Sequence, residues 1–563
     1  MKPSKNRVVL GINAYSHDAA AVLFVDGAMV FAAEEERYDR VRHSAAFPRG
    51  AIQAALRHAG LEAGEVQQVA FCWRRDMARW NKALYVLARF PRSLPFLWER
   101  PENMPHRVAY LSSIRGLGRD LAALGVTAPI TYVPHHLAHA VQAHRFGPHD
   151  EAAVLTADGM GEWTATATWS VSRDGEPRRL AQRCYPHSIG KVYAAVTQHL
   201  GFVPDADEGK TMGLAPYGRP TYLKAFGEML HADPFGLYRV ALKSFGYPMG
   251  HTTMAGPAFA AHFGPAREPE GKIEAAHEDL AFALQAVTEE VLLKIARDLK
   301  ERSGHEHLGL GGGLFLNCVL NGRLAREAGF AETWNFPAAG DAGAAAGGAA
   351  YVAGAKRIEL PHAYWGDAFD DSEIERALSG RGHRVADPAE AAAEALADGK
   401  MIAWFQGRME FGPRALGARS ILADPRDPAI KDKLNETVKF REGFRPFAPA
   451  VLQEAANDWF ADGRPSPFML LTSKVRPHAR EQIPGVTHVD GTARVQTVAR
   501  DNGQPEYRSL LEAFARRTGV PILLNTSLNV RGEPIARTPE EALAVFDRTA
   551  LDVAVLGRYI VTK

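Results

Sequence analysis

The chain has 563 residues and a mass of 61.4 kDa, which is too long for one compact core and predicts two or three domains. Its 66 lysines and arginines nearly balance its 65 aspartates and glutamates, so the composition carries no electrostatic footprint for nucleic acid. A hydrophobic content of 46% excludes wholesale disorder. The cysteines, Cys72, Cys184 and Cys318, lie far apart and exclude a disulfide framework or a four-thiolate zinc site.

The sequence contains no recognisable targeting or membrane-spanning segment. Residues 1–7 are basic, but residues 8–21 are interrupted by Asn13, Ser16, His17 and Asp18, unlike the apolar core of a signal peptide. No stretch supplies the roughly 20 apolar residues that a membrane span needs. We therefore expect a cytoplasmic protein in a reducing compartment, with neither a membrane nor a nucleic acid as partner.

Two similar patterns of strands occur in the first half of the chain. Residues 8–12, 19–25 and 28–33 are β-rich and enclose a polar loop, and residues 152–157 and 164–171 enclose a turn that contains Asp158. This repetition predicts a duplicated α/β domain. Two unrelated hairpins would give the same pattern, and this alternative stays open on the pattern alone.

Helical patterns and glycine turns follow the second strand unit. Residues 274–302 predict a long helix, and glycines 311 to 313 precede a helix expected to start near Asn317. Asp341 lies in a similar glycine-rich turn before a helix of small residues, which can pack very close to a neighbour. The periodicity lapses at residues 357–371, so we predict domains at 1–362, with lobes of about 1–150 and 151–362, and at 363–563.

The C-terminal domain shows its own alternation of apolar strands and helices. Strands are expected at residues 401–405, 447–451, 468–471 and 521–524, and helices at residues 388–396, 509–518 and 538–547.

A histidine-rich segment follows Pro134 and favours a metal site. If a helix starts there, His135 and His139 at i and i+4 lie on one face, although His136 and His139 at i and i+3 could also pair. Asp158 or Asp341 could add an oxygen ligand, and two imidazoles with a carboxylate are associated with Fe(II). Histidines that merely pack, and aspartates that merely cap helices, are the alternatives.

Polar and cationic residues also mark possible anion sites. The glycines at 311 to 313 expose backbone N–H groups at the start of a helix, which suits phosphate, although such turns also use glycine for conformation alone. In the second domain, arginines and a lysine cluster beside Gly, Pro and Phe, which favours a polyanionic small ligand over a solvated basic face. The cationic residues are Arg414, Arg419, Lys439, Arg441, Arg445 and Arg494. Neutral donors follow a buried strand, and they are Asn525, Thr526, Ser527 and Asn529.

Together these segments resemble the O-carbamoyltransferase family of antibiotic and nodulation-factor biosynthesis, over nearly the whole chain. The resemblance rests on residues 11–20, 34–37, 135–140, 212–218, 312–318, 340–343, 407–426, 439–449, 491–496 and 524–529. It implies an α/β fold with a duplicated N-terminal domain of the actin-like ATPase superfamily. The α/β C-terminal domain is then similar to threonylcarbamoyl-adenylate synthases.

The resemblance also implies a two-step reaction. The C-terminal domain would form carbamoyl-adenylate from carbamoyl phosphate and ATP. The N-terminal domain would transfer the carbamoyl group to a hydroxyl of a natural-product or sugar acceptor, and AMP would leave. Fe(II) or another divalent metal, and Mg²⁺ with ATP, are the implied ions.

Family roles are carried over to individual residues of this sequence. His135, His139 and Asp341 would hold the metal, Asp158 would lie beside the metal and the ligand, and His17 would be the general base. Arg414, Lys439, Arg445, Arg494 and Asn525 would bind carbamoyl phosphate or ATP phosphates, and Gly312, Gly313 and Asn317 would line the adenylate pocket. Arg42 stands near the place of a lysine common in the family, and its role is undefined.

Two other functions fit part of the sequence. An ATP-dependent kinase of the actin-like superfamily would release ADP and leaves the basic domain unexplained. A non-catalytic nucleotide-binding module would not need carbamoyl phosphate. The acceptor and the oligomeric state are not encoded in these motifs, although residues 77–102 and 235–265, rich in aromatics and proline, are candidates for the acceptor pocket or for variable loops.

Overall fold

The computed structural model describes residues 7–74, 76–99, 106–173, 175–234 and 236–563. Most of the basic N-terminus, and parts of the two aromatic-rich segments expected near the acceptor, lie outside these residues. Contacts divide the described chain into two units. The first comprises Met1–Glu35 and His43–Glu359, and the second comprises Glu36–Arg42 and Leu360–Lys563.

The strands and helices up to Glu359 include those predicted at residues 8–33, 152–171 and 274–302. The strands are β1 Val8–Asn13, β2 Ala20–Val25, β3 Ala28–Glu34, β4 Gln68–Phe71, β5 Ile130–Tyr132, β6 Ala152–Ala157, β7 Thr164–Val171, β8 Pro177–Cys184, β9 Leu230–Asp233, β10 Gly236–Val240, β11 His307–Gly311 and β12 Glu332–Asn335. The helices are α1 Glu36–Asp39, α2 Arg49–Ala59, α3 Arg79–Leu87, α4 Leu94–Trp98, α5 Arg107–Ala122, α6 His135–Arg145, α7 Ile189–His199, α8 Glu208–Leu214, α9 Leu223–Met229, α10 Pro257–Phe263, α11 Ala275–Ser303, α12 Cys318–Glu327 and α13 Asp341–Ala353.

The first unit contains two five-stranded sheets of the same topology. Their strand orders are β3-β2-β1-β4-β5 and β8-β7-β6-β11-β12. In each sheet three antiparallel strands form one side and two further strands extend the sheet in parallel. The duplicated α/β domain expected from the repeated hairpins is therefore confirmed.

The second unit is built on one mixed sheet of nine strands. They are β13 His383–Arg384, β14 Ile402–Phe405, β15 Arg419–Ala423, β16 Ala448–Leu452, β17 Leu471–Lys474, β18 Thr492–Val498, β19 Ile522–Ser527, β20 Val553–Leu556 and β21 Tyr559–Thr562. Their order in the sheet is β13-β21-β20-β14-β15-β19-β16-β18-β17. Its helices are α14 Asp371–Leu378, α15 Pro388–Ala397, α16 Ile430–Leu434, α17 Ala456–Trp459, α18 Pro477–Arg480, α19 Pro505–Thr518 and α20 Pro539–Arg548.

One local prediction for the second unit was wrong. The strand expected at 468–471 starts only at Leu471, because Met469 has φ of +57° and bends the chain before it. Arg419 follows the turn at Gly417, which has φ of +108°, and opens strand β15. Its buried guanidinium donates to carbonyl oxygens that include those of Gln406 and Gly407. Arg419 therefore stabilises the fold of this unit.

Residues Glu36–Arg42 pack with the second unit, which the sequence patterns did not indicate. The buried Arg37 donates to the carbonyl of Gly412 at 3.0 Å, and Arg40 donates to the carbonyls of Pro534 and Ile535. A buried guanidinium is costly to desolvate, and the hydrogen bond to the carbonyl of Gly412 helps to stabilise Arg37 in this position.

The small-residue helix α13 lies in very close contact with α6 and β1. A Cβ atom on Gly347 would stand 2.0 Å from the carbonyl oxygen of Ala138 in α6, and one on Gly11 would stand 2.2 Å from that of Ala345 in α13. Only glycine permits these approaches, because real Cβ atoms do not come so near to a backbone oxygen. The close contact brings the first turns of α6 and α13 together. Among the described residues no helix is both long and apolar enough to span a bilayer.

We predict that Gly347→Ala destabilises the first unit by about 1–3 kcal/mol, because overpacking moves α6 away from α13. Unfolding in urea and the metal content of the purified variant would measure the two effects. Gly227→Ala in α9 is the matched control, since a Cβ there meets no atom within 4 Å. Equal behaviour of the two variants would contradict the importance of the close contact.

Candidate functional site

Four buried ligand side chains converge where α6, α13 and β6 meet. His135 and His139 come from the first turns of α6, Asp158 follows β6, and Asp341 is the first residue of α13. The Nε2 atoms of the two histidines are 3.1 Å apart. His135 Nε2 lies 3.4 Å from both Asp158 Oδ2 and Asp341 Oδ1. His139 Nε2 lies 3.2 Å from Asp158 Oδ2 and 3.7 Å from Asp341 Oδ1.

These separations fit one bound metal ion. Ligand atoms about 2.1 Å from an ion lie about 3–3.4 Å from one another. Asp341 Oδ1 is buried and has no hydrogen-bond partner, although a buried carboxylate oxygen normally has one. The cluster of His135, His139, Asp158 and Asp341 can therefore hold a divalent metal. The carboxylate of Asp341 does not cap its own helix, so the capping alternative is wrong for this residue.

The outer nitrogens of both histidines are held by acceptors. His135 Nδ1 donates to the carbonyl of Cys72 at 3.2 Å, and His139 Nδ1 donates to Gln142 Oε1 at 2.9 Å. Gln142 is itself fixed because its Nε2 donates to the carbonyl of Ala338 at 2.6 Å. These bonds leave the lone pairs of the neutral imidazoles on Nε2, facing the two carboxylates, as metal ligands require.

His136, the alternative partner of His139, points away from this cluster. Its Nε2 donates to the carbonyl of Thr164 at 3.0 Å, and its Nδ1 lies 2.9 Å from the hydroxyl of Thr156. Burial and the neighbouring histidines lower its pKa to about 3. His136 is therefore a neutral core histidine, and only the i and i+4 pair faces the carboxylates.

The start of α6 is fixed by a carboxylate that the sequence analysis missed. The buried Glu162 accepts hydrogen bonds from the backbone N–H of His135 at 3.0 Å and of Arg74 at 2.8 Å. An acceptor at the first N–H group of a helix satisfies a donor that has no partner within the helix. Glu162 thereby fixes the position from which both histidines project.

His17 lies beside the cluster on the loop between β1 and β2. Its Nε2 is 3.8 Å from Asp341 Oδ2, and its Nδ1 is 3.0 Å from Asp18 Oδ2. Asp18 also binds His43 Nδ1 through its other oxygen at 2.7 Å. Tyr15, Asp18 and His43 all have positive φ, a strain that proteins retain mainly at functional sites. Sequence analysis missed the Asp18 and His43 partnership because 25 positions separate them.

The electrostatics of the first unit's cluster depend on its carboxylates. Burial opposes the charged form of His135, but Asp341 and Asp158 raise its pKa well above the ordinary range. Burial likewise lowers the pKa of His17, while Asp341 and Asp18 raise it to about 10. Without a cation, the cluster therefore retains protons near neutral pH.

The glycine turn after β11 lies next to Asp158. Gly312 has φ of +105°, and a Cβ there would stand 2.3 Å from the carbonyl oxygen of Ala157. The backbone N–H of Gly313 points at Asp158 Oδ2 from 3.5 Å. Asn317 uses its side chain to accept from Leu320 N and to donate to Gln285 Oε1, so it fixes the start of α12. Its role in an adenylate pocket stays a prediction.

A cationic group occupies the second unit. Burial, with Arg441 and Arg445 close by, lowers the pKa of Lys439 well below its usual range. Burial, with Arg445 and Arg494 close by, does the same to Arg441. The lowered pKa values of Lys439 and Arg441, with Arg445 and Arg494 nearby, mark a site that favours binding of an anion. Lys439 ends a π-helical turn, a feature common at functional sites, and it donates to the carbonyls of Ser527 and Asn529 at 2.5 and 3.0 Å.

The loop that carries Arg414 is wound around a buried carboxylate. Glu410 Oε1 accepts from the backbone N–H groups of Leu416 and Ala418 at 2.8 Å. Asn525 donates to the carbonyl of Ala415 at 3.1 Å and to Gln496 Oε1 at 2.8 Å. Asn525 therefore links β19 to the Arg414 loop, and its predicted contact with phosphate stays a prediction. Sequence analysis did not single out Glu410, since its role depends on the folded loop.

A further group of metal-capable side chains in the first unit lacks suitable geometry. His149, His307 and Glu332 lie together, but the two imidazole rings are stacked 3.4 Å apart with planes only 4° from parallel. Nitrogen lone pairs lie in the plane of the ring, so those of two stacked rings do not converge on one ion. Among the described residues we therefore place the candidate metal centre at His135, His139, Asp158 and Asp341.

We predict that metal binding to this cluster releases protons at neutral pH. Because Asp341 and Asp158 raise the pKa of His135, the metal-free protein holds a proton that the ligand form must lose, and metal affinity should fall as pH is lowered. Calorimetric titration in buffers of different ionisation enthalpy would count the protons. A heat independent of buffer would contradict this, and His262→Gln, an exposed histidine in α10, is the control.

Comparison with known proteins places both units in one family. The profile described as "Carbamoyltransferase N-terminus" matches residues 8–350, and that described as "Carbamoyltransferase C-terminus" matches residues 393–563. Among solved structures, HypF of T. kodakarensis covers 63% of this chain and 48% of its own at 14% identity, with a TM-score of 0.32.

Similarity to curated proteins extends over almost the whole chain. The nodulation protein NolNO of Sinorhizobium fredii is 38% identical over 98% of this chain and 80% of its own length. The uncharacterised protein sll1178 of Synechocystis is 39% identical over 99% of this chain and 96% of its own length. With the two matching profiles, these similarities show that the chain belongs to the carbamoyltransferase family, and that it is a transferase enzyme.

Proposed function

We propose that this enzyme is an O-carbamoyltransferase that works in two chemical steps. In the second unit, water releases inorganic phosphate from carbamoyl phosphate, and an oxygen of the resulting carbamate attacks the α-phosphorus of ATP, which gives carbamoyl-adenylate and pyrophosphate. In the first unit, a hydroxyl of a natural-product or sugar acceptor attacks the carbamoyl carbon and AMP leaves. The observation that carries the proposal is that His135, His139, Asp158 and Asp341 converge beside His17, within a chain of this family.

The cationic group of the second unit supports the first step. Carbamoyl phosphate and ATP are polyanions, and guanidinium groups bind phosphate oxygens in pairs. Arg414, Arg445 and Arg494 are the proposed phosphate ligands, with Lys439 at the end of its π-helical turn. Bound anions would offset the burial and the neighbouring positive charges that lower the pKa of Lys439 and Arg441.

The geometry around His17 supports the second step. Asp18 accepts the Nδ1 proton of His17, which leaves Nε2 to remove the proton of the acceptor hydroxyl. A base must be unprotonated at the working pH, and the free carboxylate of Asp341 opposes this by raising the pKa of His17. Engagement of Asp341 as a metal ligand would remove much of that attraction and make His17 a usable base.

The metal would be Fe(II) or another divalent ion, held by His135, His139, Asp158 and Asp341. When bound, such an ion polarises a carbonyl or phosphoryl oxygen. Two imidazoles with carboxylates suit Fe(II) among the available metals. Gly312, Gly313 and Asn317 are the proposed lining of the adenylate pocket, and Gly313 lies next to the proposed metal ligand Asp158.

We predict that His17→Ala leaves carbamoyl-adenylate formation intact and slows transfer to the acceptor by about 100-fold or more, the usual effect of losing a general base. Pyrophosphate release reports the first step, and the carbamoylated acceptor in mass spectra reports the second. His262→Ala, at an exposed position, should alter neither. Loss of pyrophosphate release in the His17 variant would show that His17 is needed for the first step, and would contradict its assignment as the base of the transfer step.

We predict the opposite pattern for Arg494→Ala. Removal of a phosphate ligand should slow carbamoyl-adenylate formation by about 100-fold or more, while transfer from supplied carbamoyl-adenylate should continue. Arg381→Ala is the control, because Arg381 forms an exposed ion pair with Asp547. If supplied carbamoyl-adenylate also failed to react in the Arg494 variant, the two sites would not be separate.

A further inference from the structure

Exposed apolar side chains concentrate in one short part of the first unit. Twelve large hydrophobic residues of the described chain are well exposed, and eight of these fall between positions 80 and 111. Trp80 and Leu87 are each 70% exposed. Soluble proteins scatter single exposed apolar residues, whereas a concentration of them marks a binding surface. The eight residues are Trp80, Leu84, Leu87, Phe90, Leu94, Trp98, Val108 and Leu111, and we call them the apolar face.

The spacing of these residues gives each helix an exposed apolar side. Trp80, Leu84 and Leu87 stand at i, i+4 and i+7 in α3, and Leu94 and Trp98 stand at i and i+4 in α4. Positions with this spacing share one side of a helix. The exposed residues are therefore arranged by secondary structure, as in amphipathic helices whose apolar side has a partner.

The opposite sides of α3 and α4 are anchored in the first unit. Tyr85 is buried, its hydroxyl donates to the carbonyl of Pro248 at 2.6 Å, and its ring lies 5.4 Å from Trp163. The buried Phe96 packs against Tyr85 and Tyr185, with ring centroids 5.5 and 5.6 Å away. The apolar face is thus presented by helices that are already packed, and it does not need to fold into the core.

The charge of this part of the chain is one-sided. Residues 77–98 contain Arg79, Lys82, Arg89 and Arg92 but no aspartate or glutamate. The flanking Asp76 is paired with Arg74, and the flanking Glu99 accepts from the backbone N–H of Thr252. Arg79 and Arg92 are exposed. In a symmetric contact between two copies, these cations would face one another and repel. An anionic surface would attract them instead.

We propose that the apolar face binds the surface of an anionic lipid bilayer, with α3 and α4 lying in the interface. Amphipathic helices with Trp, Phe and Leu on one side and basic residues beside them insert their apolar side at the headgroup boundary. Trp80, Phe90 and Trp98 supply the aromatic rings that favour this depth. Binding of this kind at a bilayer surface needs no membrane-spanning segment.

The test is sedimentation of the full chain with vesicles of phosphatidylcholine alone or with about 30% phosphatidylglycerol, an anionic lipid. We expect at least about tenfold more binding to the anionic vesicles, and a loss of most binding at high salt, where charges are screened. Tryptophan emission should shift to shorter wavelength on binding. Equal sedimentation with both vesicle types, or none, would overturn the proposal.

Paired variants locate the binding surface. Leu84→Glu with Leu87→Glu should reduce vesicle binding by about tenfold or more, since charged residues replace the apolar contact. Arg79→Gln with Arg92→Gln should weaken binding by about tenfold and reduce its salt dependence. Leu223→Glu is the control, because Leu223 is also exposed, at 39%, but lies in α9. Vesicle binding that is equally weakened by the control would contradict the assignment.

Sedimentation velocity of the same variants addresses the other possible occupant. We expect the unmodified chain and the Leu84→Glu, Leu87→Glu variant to show the same association state. A self-associated chain that the double variant dissociates, without vesicle binding, would assign the face to a second copy and overturn the proposal. Unchanged thermal unfolding of the variants would establish that they are folded, as expected for exposed positions.

Discussion

The close contact between α6 and α13 is the constraint on which the first unit's site depends. Gly347 admits the carbonyl oxygen of Ala138 where any side chain would collide with it. Because His135 and His139 project from the first turns of α6 and Asp341 begins α13, the separation of these helices sets the separation of the ligands. Glycines and alanines far from any reacting atom thus determine whether one ion can be shared.

The candidate sites of the two units favour ligands of opposite charge. In the first unit, Asp158 and Asp341 are buried beside histidines, and this arrangement favours binding of a cation. In the second unit, burial and the nearby arginines disfavour the charged forms of Lys439 and Arg441, and this arrangement favours binding of an anion. A buried group of like charges costs stability unless a ligand of opposite charge completes it. Each unit is therefore less stable in the free protein than with its ligand bound.

Much of this could be predicted from local sequence. The repeated strands and the glycine-rich turn at Asp341 were visible in local patterns. Spacing left the pair His135 and His139 and the pair His136 and His139 both open, and the family resemblance favoured the first. Partners distant in sequence could not be predicted, because nothing local links Asp18 to His43, Gln142 to Ala338, or Glu162 to the start of α6. Arg419 was grouped with the cationic residues expected to bind an anion, yet in the fold it opens a strand and donates to backbone carbonyls. Composition could not distinguish these two uses of arginine.

Product analysis tests the two-step account most directly. The full enzyme would be incubated with ATP, carbamoyl phosphate, a divalent metal and a panel of alcohols. The account predicts AMP, pyrophosphate, inorganic phosphate and an alcohol heavier by one carbamoyl group, in equal amounts. Formation of ADP with a phosphorylated alcohol would contradict it, and so would AMP formation that does not require carbamoyl phosphate.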